Sequence, residues 1–478
     1  MTRTGVDGLG TETLADGFEG VVLHPHTPGY DEARTVFNAM IDRRPAVIAQ
    51  CRTVRDVSEA VRFGRERGLQ IAVRGGGHSV AGNGLSDGGL VVDLRRMCAV
   101  EVDHQARTAR VEGGATWGHL DRACQPHGLA TTGGRVSTTG VGGLTLGGGS
   151  GWLERGFGLA CDNLLSVDLV TADGRTLTAS EDQNPDLFWA LHGGGGNFGV
   201  ATALTFRLHP LPRCTLGLLL WPAEAGPDVV RRYRDLVAGG ASEALGGAML
   251  YLTGPPEEFV PPHLQGRLAV ACAAVFAGGE GAAREAIRPM LDLQPDAEMV
   301  AEMPYADIQC ALDDPPGYRN YWSAEHLREL PDAAVDAFCA RARDMIVPSP
   351  SQDVLVPWGG AVARDADSWP LPHRRAPWVV HPFGLWEEPA DDQRGRSWAR
   401  AVCADMAPYA TGQVYLNFIG DEGVSRVVAG YGAENYERLA TVKAQYDPHN
   451  VFRLNHNIRP AGAEPGPPSA ARSAAATG

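Results

Sequence analysis

A histidine that follows a run of glycines is the first residue of this chain that could do chemistry. His78 comes directly after Gly75, Gly76 and Gly77, and the apolar residues before this run predict a strand. Consecutive glycines allow the backbone to approach a ligand closely, and their free N–H groups can line an anion-binding concavity. We therefore predict that the loop holds the pyrophosphate of a dinucleotide and that His78 meets the ring system of the same molecule.

Two further glycine-rich segments, residues 133–151 and 192–199, extend this interpretation. None of the three segments matches the strand–GxGxxG–helix pattern of a Rossmann site, and none ends in the Gly-Lys-Ser/Thr of a P-loop. Any one of them could be no more than a flexible surface loop. Taken together, they favour a ligand site lined by backbone.

The elements that must position these loops show both strand and helix signals. Thr53 and Asp56 form a capping pair that predicts a helix over residues 53–68. A proline-rich stretch at residues 210–212 indicates a domain boundary. Residues 214–408 mix apolar runs that predict strands with helical segments, which is typical of an antiparallel sheet covered on one face by helices.

The composition excludes several classes of protein. The 478 residues carry a formal net charge of −15 without a basic patch, so neither nucleic acid nor an anionic membrane is an expected partner. No apolar stretch has the length of a transmembrane helix or the character of a signal peptide. The nine cysteines are scattered without a CxxC pair, so we expect free thiols, no bound metal and a cytoplasmic protein.

The order of the motifs resembles that of one enzyme family. RGGGHS is followed by GGRVSTTGVGGLTLGGGSGWL, GLACDNLLSVDLVTADG and NPDLFWALHGGGGNFGV, and the chain closes with YLN and YDPHNVFRLNHNIRP. From Arg44 to Pro460 this arrangement is similar to the berberine-bridge-enzyme-like branch of the vanillyl-alcohol-oxidase type FAD enzymes. The resemblance implies an α+β fold in which a bipartite PCMH-type FAD-binding domain carries an inserted substrate domain. The expected division is an N-terminal segment (1–45), the FAD-binding domain (46–211), the substrate domain (212–410), a C-terminal segment that completes the FAD-binding domain (411–460) and a disordered tail (461–478).

The same resemblance implies that FAD is bonded covalently to a ring nitrogen of His78. Many members carry a second bond from a cysteine shortly before the GVGG segment, but Val136 stands at that position here, and Cys161 lies well after it. We therefore expect a single covalent link. Thr139 falls beside the flavin ring, where residue size influences oxygen access. The other expected FAD contacts are Arg74, Gly75, Gly76, Gly77, Ser79, Val136, Ser137, Gly140, Gly142, Gly143, Gly148, Gly149, Val200, Asn455 and Asn457, although Arg74 could instead form a surface ion pair and the two asparagines could cap a turn.

Oxidation of a substrate C–H bond needs a base for the O–H or N–H proton, beside the hydride acceptor that the flavin supplies. Tyr415 is the first candidate for this base, and Asn417 is expected on the same face of a strand over residues 414–419. His381 and Asp353, on predicted strands of the substrate domain, are further candidates. Each of these side chains could also serve packing alone.

The resemblance implies an FAD-dependent oxidoreductase. We expect hydride transfer from an alcohol or amine carbon of a small molecule, in secondary metabolism, with dioxygen as the electron acceptor. A flavin-dependent oxygenase or oxidative cyclase of natural-product biosynthesis is an alternative within the enzyme class. A flavin-binding carrier without turnover is the alternative from another class. The sequence indicates no particular oligomeric state.

Overall fold

The structure is a computed structural model, and it describes Leu14 and residues 17–463. Its first sheet has the strand order β1-β2-β4-β3, in which β1 runs antiparallel to β2 and the other pairs are parallel. Because β1 pairs with β2, residues before position 45 form part of this sheet. The strands are β1 (Val21–Leu23), β2 (Val47–Gln50), β3 (Ile71–Arg74) and β4 (Leu90–Asp93), and a short helix, α1 (Tyr30–Ala33), follows β1.

The predicted helix over residues 53–68 is α2 (Val54–Glu66). It begins with a capping box, in which the Thr53 hydroxyl accepts a bond from the backbone N–H of Asp56 and the Asp56 carboxylate accepts one from Thr53. This arrangement satisfies N–H groups that a helix start otherwise leaves unpaired. Its buried apolar stripe packs on the first sheet and so places the loop after β3.

The second sheet is antiparallel and has the strand order β5-β6-β10-β8-β9. It contains two hairpins, one on either side of the second glycine segment. The two shortest strands, β7 and β11, pair with each other outside it. The elements of this part are β5 (Val100–Asp103), β6 (Thr108–Glu112), α3 (Trp117–Cys124), β7 (Leu129–Ala130), α4 (Val141–Leu146), α5 (Glu154–Phe157), β8 (Leu164–Val170), β9 (Thr176–Ser180), α6 (Pro185–Leu191), β10 (Val200–Arg207) and β11 (His209–Pro210).

The third sheet contains eight antiparallel strands in the order β15-β12-β14-β13-β18-β19-β16, with β17 also paired to β19. The α+β class with an antiparallel sheet covered by helices is confirmed. One strand of this sheet ends at Pro357, and a 3-10 turn follows at Gly360–Ala363. The elements are β12 (Cys214–Pro222), α7 (Gly226–Ala238), β13 (Leu245–Thr253), β14 (Leu268–Phe276), α8 (Glu280–Ala286), α9 (Arg288–Leu291), β15 (Ala297–Met303), α10 (Tyr305–Ala311), β16 (Arg319–Trp322), β17 (Glu325–Leu327), α11 (Asp332–Ala342), β18 (Gln352–Pro357), β19 (Trp378–Trp386) and α12 (Asp392–Met406).

Strand alternation gives the third sheet two different faces. One face packs on α7, α11 and α12 and forms a dense apolar core. The other face looks toward the glycine loops of the first two sheets. Because successive side chains of a strand point to opposite faces, every residue of this sheet belongs either to the helix-covered core or to the side that meets the loops.

The chain then returns to the glycine loops. The expected strand over residues 414–419 is wrong, since this segment forms a 3-10 turn at Leu416–Phe418 and has no strand partner. Two helices follow, α13 (Val424–Tyr431) and α14 (Ala433–Tyr446). Within the described residues, no helix has the length and apolar character needed to cross a membrane. From residue 464 onward, the expected disordered tail lies outside the described residues.

Candidate active site

A cavity of about 860 Å³ lies between the glycine loops and the third sheet. All three glycine-rich segments contribute to its wall, and side chains from seven strands of the third sheet form the opposite side. Its volume falls in the range of small-molecule sites. The predicted FAD-contacting residues that line it are Arg74, Gly75, Gly76, Gly77, His78, Ser79, Val136, Thr139, Gly140, Gly142, Gly143 and Asn455.

The first two glycine segments meet backbone to backbone. A Cβ atom at Gly76 would collide with the backbone nitrogen of Gly140, and a Cβ atom at Gly140 would collide with that of Gly76. Gly77 adopts a φ of 77°, which favours glycine. Only glycine is compatible with this close approach, so the backbone itself forms this part of the cavity wall.

The C-terminal segment supplies an unpaired polar atom at the same cavity. The Asn455 amide nitrogen donates to the carbonyl oxygens of Gly196 and Phe452, while its oxygen is buried without a hydrogen-bond partner. A buried amide oxygen without a donor is costly unless a ligand provides one. The glycine loops and this asparagine therefore suit a bound FAD, which has both a pyrophosphate and hydrogen-bond donors.

His78 is held in the wall by contacts from two sides. Its Nε2 atom lies 2.9 Å from the Thr138 hydroxyl, its Nδ1 atom lies 3.4 Å from the Thr139 hydroxyl, and its ring stacks on Phe37 with centroids 4.2 Å apart. Desolvation of the ring lowers its pKa to about 4. The imidazole is consequently neutral at physiological pH and keeps a nucleophilic nitrogen.

Arg74 lines the cavity from inside the protein. Its guanidinium is buried and donates to the backbone carbonyls of Ala33 and Thr35, and burial lowers its pKa to about 10. It is therefore not a surface ion pair. Its two terminal nitrogens anchor the glycine loop to the chain around the end of α1, while its Nε atom is buried without a hydrogen-bond partner.

Five predicted FAD contacts lie outside the cavity wall. The backbone N–H and hydroxyl of Ser137 both donate to Asp313, which leaves neither group for a cofactor. Val200 points into the apolar core because its neighbours Gly199 and Ala201 take the cavity side of the strand. Gly148, Gly149 and Asn457 also do not line the cavity.

Val136 and Cys161, the residues that bear on a second covalent link, lie in different environments. Val136 lines the cavity, as does Thr139. Cys161 is fully buried beside Asp162, and burial raises the pKa of its thiol well above the ordinary value. Within the described part of the chain no cysteine lines the cavity, so no thiol there is in position to bond a ligand.

His381 reaches the cavity from β19. Its Nδ1 atom lies 2.8 Å from the carbonyl oxygen of Ser323, and its ring stacks on Phe418 with centroids 4.2 Å apart. Since a carbonyl only accepts, Nδ1 carries the ring proton and Nε2 keeps its lone pair. Burial lowers the pKa of this imidazole to about 4, so a neutral proton acceptor lines the cavity.

Tyr415 is placed differently from the expected base. Its side chain is fully buried and does not line the cavity, and its hydroxyl oxygen accepts bonds from the N–H groups of Gly149 at 2.6 Å and Ser150 at 3.1 Å. Asn417 lines the cavity and donates to the same oxygen at 2.8 Å and to the Leu144 carbonyl at 2.9 Å. The two side chains are neighbours, as expected, but a turn brings them together rather than one face of a strand.

Asp353 lies on the wrong face of β18 for chemistry at the cavity. Its neighbours Gln352 and Val354 line the cavity, while Asp353 points into the helix-covered core. Both carboxylate oxygens are buried without a hydrogen-bond partner, and burial raises the pKa of this group well above its usual range. The expectation of a catalytic Asp353 is therefore corrected, since this carboxyl group cannot meet a molecule in the cavity.

The cavity also contains residues that the sequence reasoning missed. Phe383 stands two residues after His381 on β19, so strand alternation around that histidine was the signal that could have found it. Asp314 accepts a bond from Gln352, and burial beside Asp313 raises its pKa to about 7. Arg135 pairs with the buried Glu154 at 2.7 Å. No local sequence signal marks Asp314 or Arg135.

Two family models match the chain. Residues 45–180 match the model described as FAD binding domain, and residues 414–459 match the model described as Berberine and berberine like. These two segments contain the first two glycine segments and the C-terminal turn that carries Tyr415. Both matches therefore fall on the loops that form the cavity wall opposite the third sheet.

Individual proteins match over most of their length. The chain is 31% identical over 464 residues to (R)-6-hydroxynicotine oxidase of Paenarthrobacter nicotinovorans, which covers 93% of this chain and 97% of that protein. It is 28% identical over 452 residues to an uncharacterized FAD-linked oxidoreductase of Bacillus subtilis, which covers 92% of this chain and 97% of that protein. Among solved structures, 6-hydroxy-D-nicotine oxidase from Arthrobacter nicotinovorans superposes with a TM-score of 0.81 at 27% identity, covering 96% of this chain and 99% of that one.

Proposed function

The chain belongs to the berberine-bridge-enzyme-like family of FAD-linked oxidoreductases, and we propose that it oxidises a C–H bond next to a hydroxyl or amine group of a small molecule. His381 accepts the proton of that group. The observation that carries the proposal is the neutral imidazole of His381 in the wall of a cavity that also holds the glycine cradle. The 31% identical relative is named for the oxidation of a small organic molecule, 6-hydroxynicotine, which supports this type of reaction.

FAD, when bound, supplies the acceptor for the substrate hydride. The protein supplies the proton acceptor, since the Ser323 carbonyl holds the His381 ring in the tautomer with a free Nε2 atom. Asn417 offers an amide group at the same cavity, and its bonds to Leu144 and Tyr415 hold that amide in place. Stacking on Phe418 restricts the imidazole ring, so the base is positioned before substrate arrives.

His78 is proposed as the single covalent attachment point of FAD. The supporting observations are its neutral ring, its place beside the glycine cradle and the absence of a cysteine among the described cavity residues. Contacts with Thr138 and Phe37 hold the ring in one orientation, which favours reaction of one nitrogen. Gly75, Gly76 and Gly140 would hold the cofactor through backbone N–H groups.

Dioxygen is the proposed acceptor of the electrons, and the cytoplasm is the proposed location. Thr139, the residue expected to influence oxygen access, lines the cavity with a side chain of medium size. All nine cysteines are free thiols. Free thiols in this number are typical of a reducing compartment.

Two measurements on the purified holoprotein test the proposal. Anaerobic addition of candidate alcohols and amines must bleach the visible flavin band, and admission of air must restore it. If no candidate bleaches the flavin while the fold is intact, the oxidoreductase activity proposed here is wrong and a carrier role is favoured.

The covalent link is tested separately by acid precipitation. Yellow colour must stay with the precipitated protein, and peptide mass mapping must place the flavin on the peptide that contains His78. The His78→Ala variant must release its flavin into the acid supernatant, whereas Cys161→Ser, the matched control, must retain it. Colour that washes out of the wild-type precipitate would contradict the link.

A further inference from the structure

The third sheet presents a continuous row of side chains to the cavity, and His381 stands at one end of it. The cross-strand partner of His381 on β18 is Val354, the partner of Val354 on β13 is Leu250, the partner of Leu250 on β14 is Ala271, and the partner of Ala271 on β12 is Leu220. All five line the cavity. Adjacent strands lie about 4.8 Å apart, so the row extends roughly 19 Å from the proposed base.

The two neighbouring rows of side chains are also mostly apolar. Toward one side the cavity is lined by Phe383, Gln352 and Leu252, which are cross-strand partners in that order. Toward the other side it is lined by Ala248, Ala273, Leu218 and Met299, again as successive partners. Among these side chains only His381 and Gln352 are polar, and none is charged. We call these three rows the apolar floor.

Several polar groups elsewhere in the wall are already engaged. Arg135 pairs with Glu154, and Asp313 accepts bonds from Ser137. The amide of Gln352, the polar side chain of the floor besides His381, donates to Asp314. A polyhydroxylated substrate lying on this floor would lose its bonds to water without replacement, which disfavours such a substrate.

We infer that the substrate is an alcohol or amine with an extended, flat apolar body, of the size of two or three fused rings, that lies on the apolar floor. This inference rests on the proposed function for the place of the reacting carbon near His381. Ala271 determines how far the body extends, because its small side chain in the middle row leaves space between Leu250 and Leu220. Ala271 is therefore a specificity-determining residue for substrate length.

The test measures binding to the holoprotein by perturbation of the flavin absorbance, without oxygen. The probes are benzyl alcohol, 2-naphthalenemethanol and 2-anthracenemethanol, which add one ring at a time, and cellobiose as a polar molecule of comparable length. Wild-type affinity must rise roughly tenfold with each added ring, since each ring buries further apolar surface. Cellobiose must bind more weakly than 2-anthracenemethanol.

The Ala271→Leu variant must lose the rise in affinity between the two-ring and three-ring probes. It must bind benzyl alcohol with the affinity of the wild type. The matched control is Ala282→Leu on the exposed side of α8. This variant must show the same rise in affinity with each added ring as the wild type. If Ala271→Leu does not fold, Ala271→Val must show the same selective loss to a smaller degree. The inference would be overturned if wild-type affinity did not rise with ring number or if cellobiose bound more tightly than 2-anthracenemethanol. It would also be overturned if the position-271 variants kept the full rise in affinity from one ring to three. Because the readout is binding, these outcomes are independent of whether any probe reduces the flavin.

Discussion

The Nδ1 atom of His381 lies 2.8 Å from the carbonyl oxygen of Ser323. This contact decides which ring nitrogen is protonated, because a carbonyl oxygen offers no proton. The remaining nitrogen, Nε2, is free to accept one in the cavity. Burial lowers the pKa of the ring to about 4, so the acceptor is available over the whole physiological pH range.

Two substitutions of His381 remove the proposed base and place an amide near one or the other position of the ring nitrogens. His381→Asn can still donate to Ser323 through an amide near the Nδ1 position, whereas His381→Gln places its amide near the Nε2 position. Neither amide accepts a proton at neutral pH, so both variants should lower kcat/KM by a factor of about 10² to 10⁴. Stopped-flow measurement of flavin reduction checks this expectation. Wild-type rates in either variant would exclude His381 as the base.

The pH profile gives a second, independent readout of the same group. A base acts in its unprotonated form, so kcat/KM should fall as the pH decreases through about 4 and should not change because of this group near pH 6.5. In the His381→Asn variant this acidic limb should be absent. An acidic limb at pH 6 to 7 that disappears in the variant would show that burial does not lower the pKa of this ring.

Substitution of Tyr415 by Phe should damage the fold more than the chemistry. The hydroxyl oxygen accepts bonds from Gly149, Ser150 and Asn417, and its removal leaves buried donors unsatisfied. We expect a loss of about 1–3 kcal/mol in the free energy of unfolding, measured by denaturant titration. The acidic limb assigned to His381 should persist, and flavin reduction should slow by less than about tenfold. A thousandfold loss of that rate in a stable variant would return Tyr415 to the chemistry.

Substitution of Asp353 by Leu should stabilise the protein without changing its activity. Folding raises the pKa of this carboxyl group well above the unfolded value, so its cost to stability appears as the pH rises above about 4 and grows until the folded pKa is reached. Replacing a buried unpaired carboxyl group by an apolar one of similar size removes that cost. The thermal midpoint of Asp353→Leu should exceed that of the wild type by a few degrees at pH 8 and by less at pH 5, with kcat unchanged. A fall in kcat at full stability would contradict the assignment of Asp353 to the core.

We expect Lys443, the only lysine of the chain, to contribute strongly to the free energy of unfolding. Its ammonium group is fully buried and donates to Asp447 at 2.7 Å, to the Phe452 carbonyl at 2.8 Å and to the Asn197 carbonyl. Lys443→Met leaves a buried carboxylate without its cation, so we expect a loss of about 3–5 kcal/mol in the free energy of unfolding. The loss is measured by denaturant titration of the unfolding transition.

The matched control for that prediction is the double variant Lys443→Met with Asp447→Asn, which removes both charges and should recover part of the loss. Asn197 and Phe452 also line the cavity, so the single variant should retain less FAD after gel filtration if His78 is replaced by Ala in the same chain. Equal stability of the single and double variants would show that the Asp447 carboxylate left without its cation costs no free energy of unfolding.

Local sequence determined the parts of this protein whose geometry depends on neighbouring residues. The capping pair of Thr53 and Asp56 predicted the start of α2, since both partners lie within one turn. The glycine segments predicted a backbone-lined site, because the need for glycine at Gly76 and Gly77 is a property of the backbone itself. The order of the motifs was sufficient to identify the family and its FAD.

Only the tertiary structure decided which side chains face the cavity. The period of two along β18 and β19 separates Gln352 from Asp353, but strand pairing and the covering helices determine which of the two faces the core. Ser137 is taken by Asp313, 176 residues away, and the hydroxyl of Tyr415 by loop residues 265 and 266 positions before it. Such partners lie far apart in sequence and meet only when the sheets pack. For that reason the sequence determined the family and its FAD, whereas the fold decided that His381, and not Tyr415 or Asp353, lines the cavity.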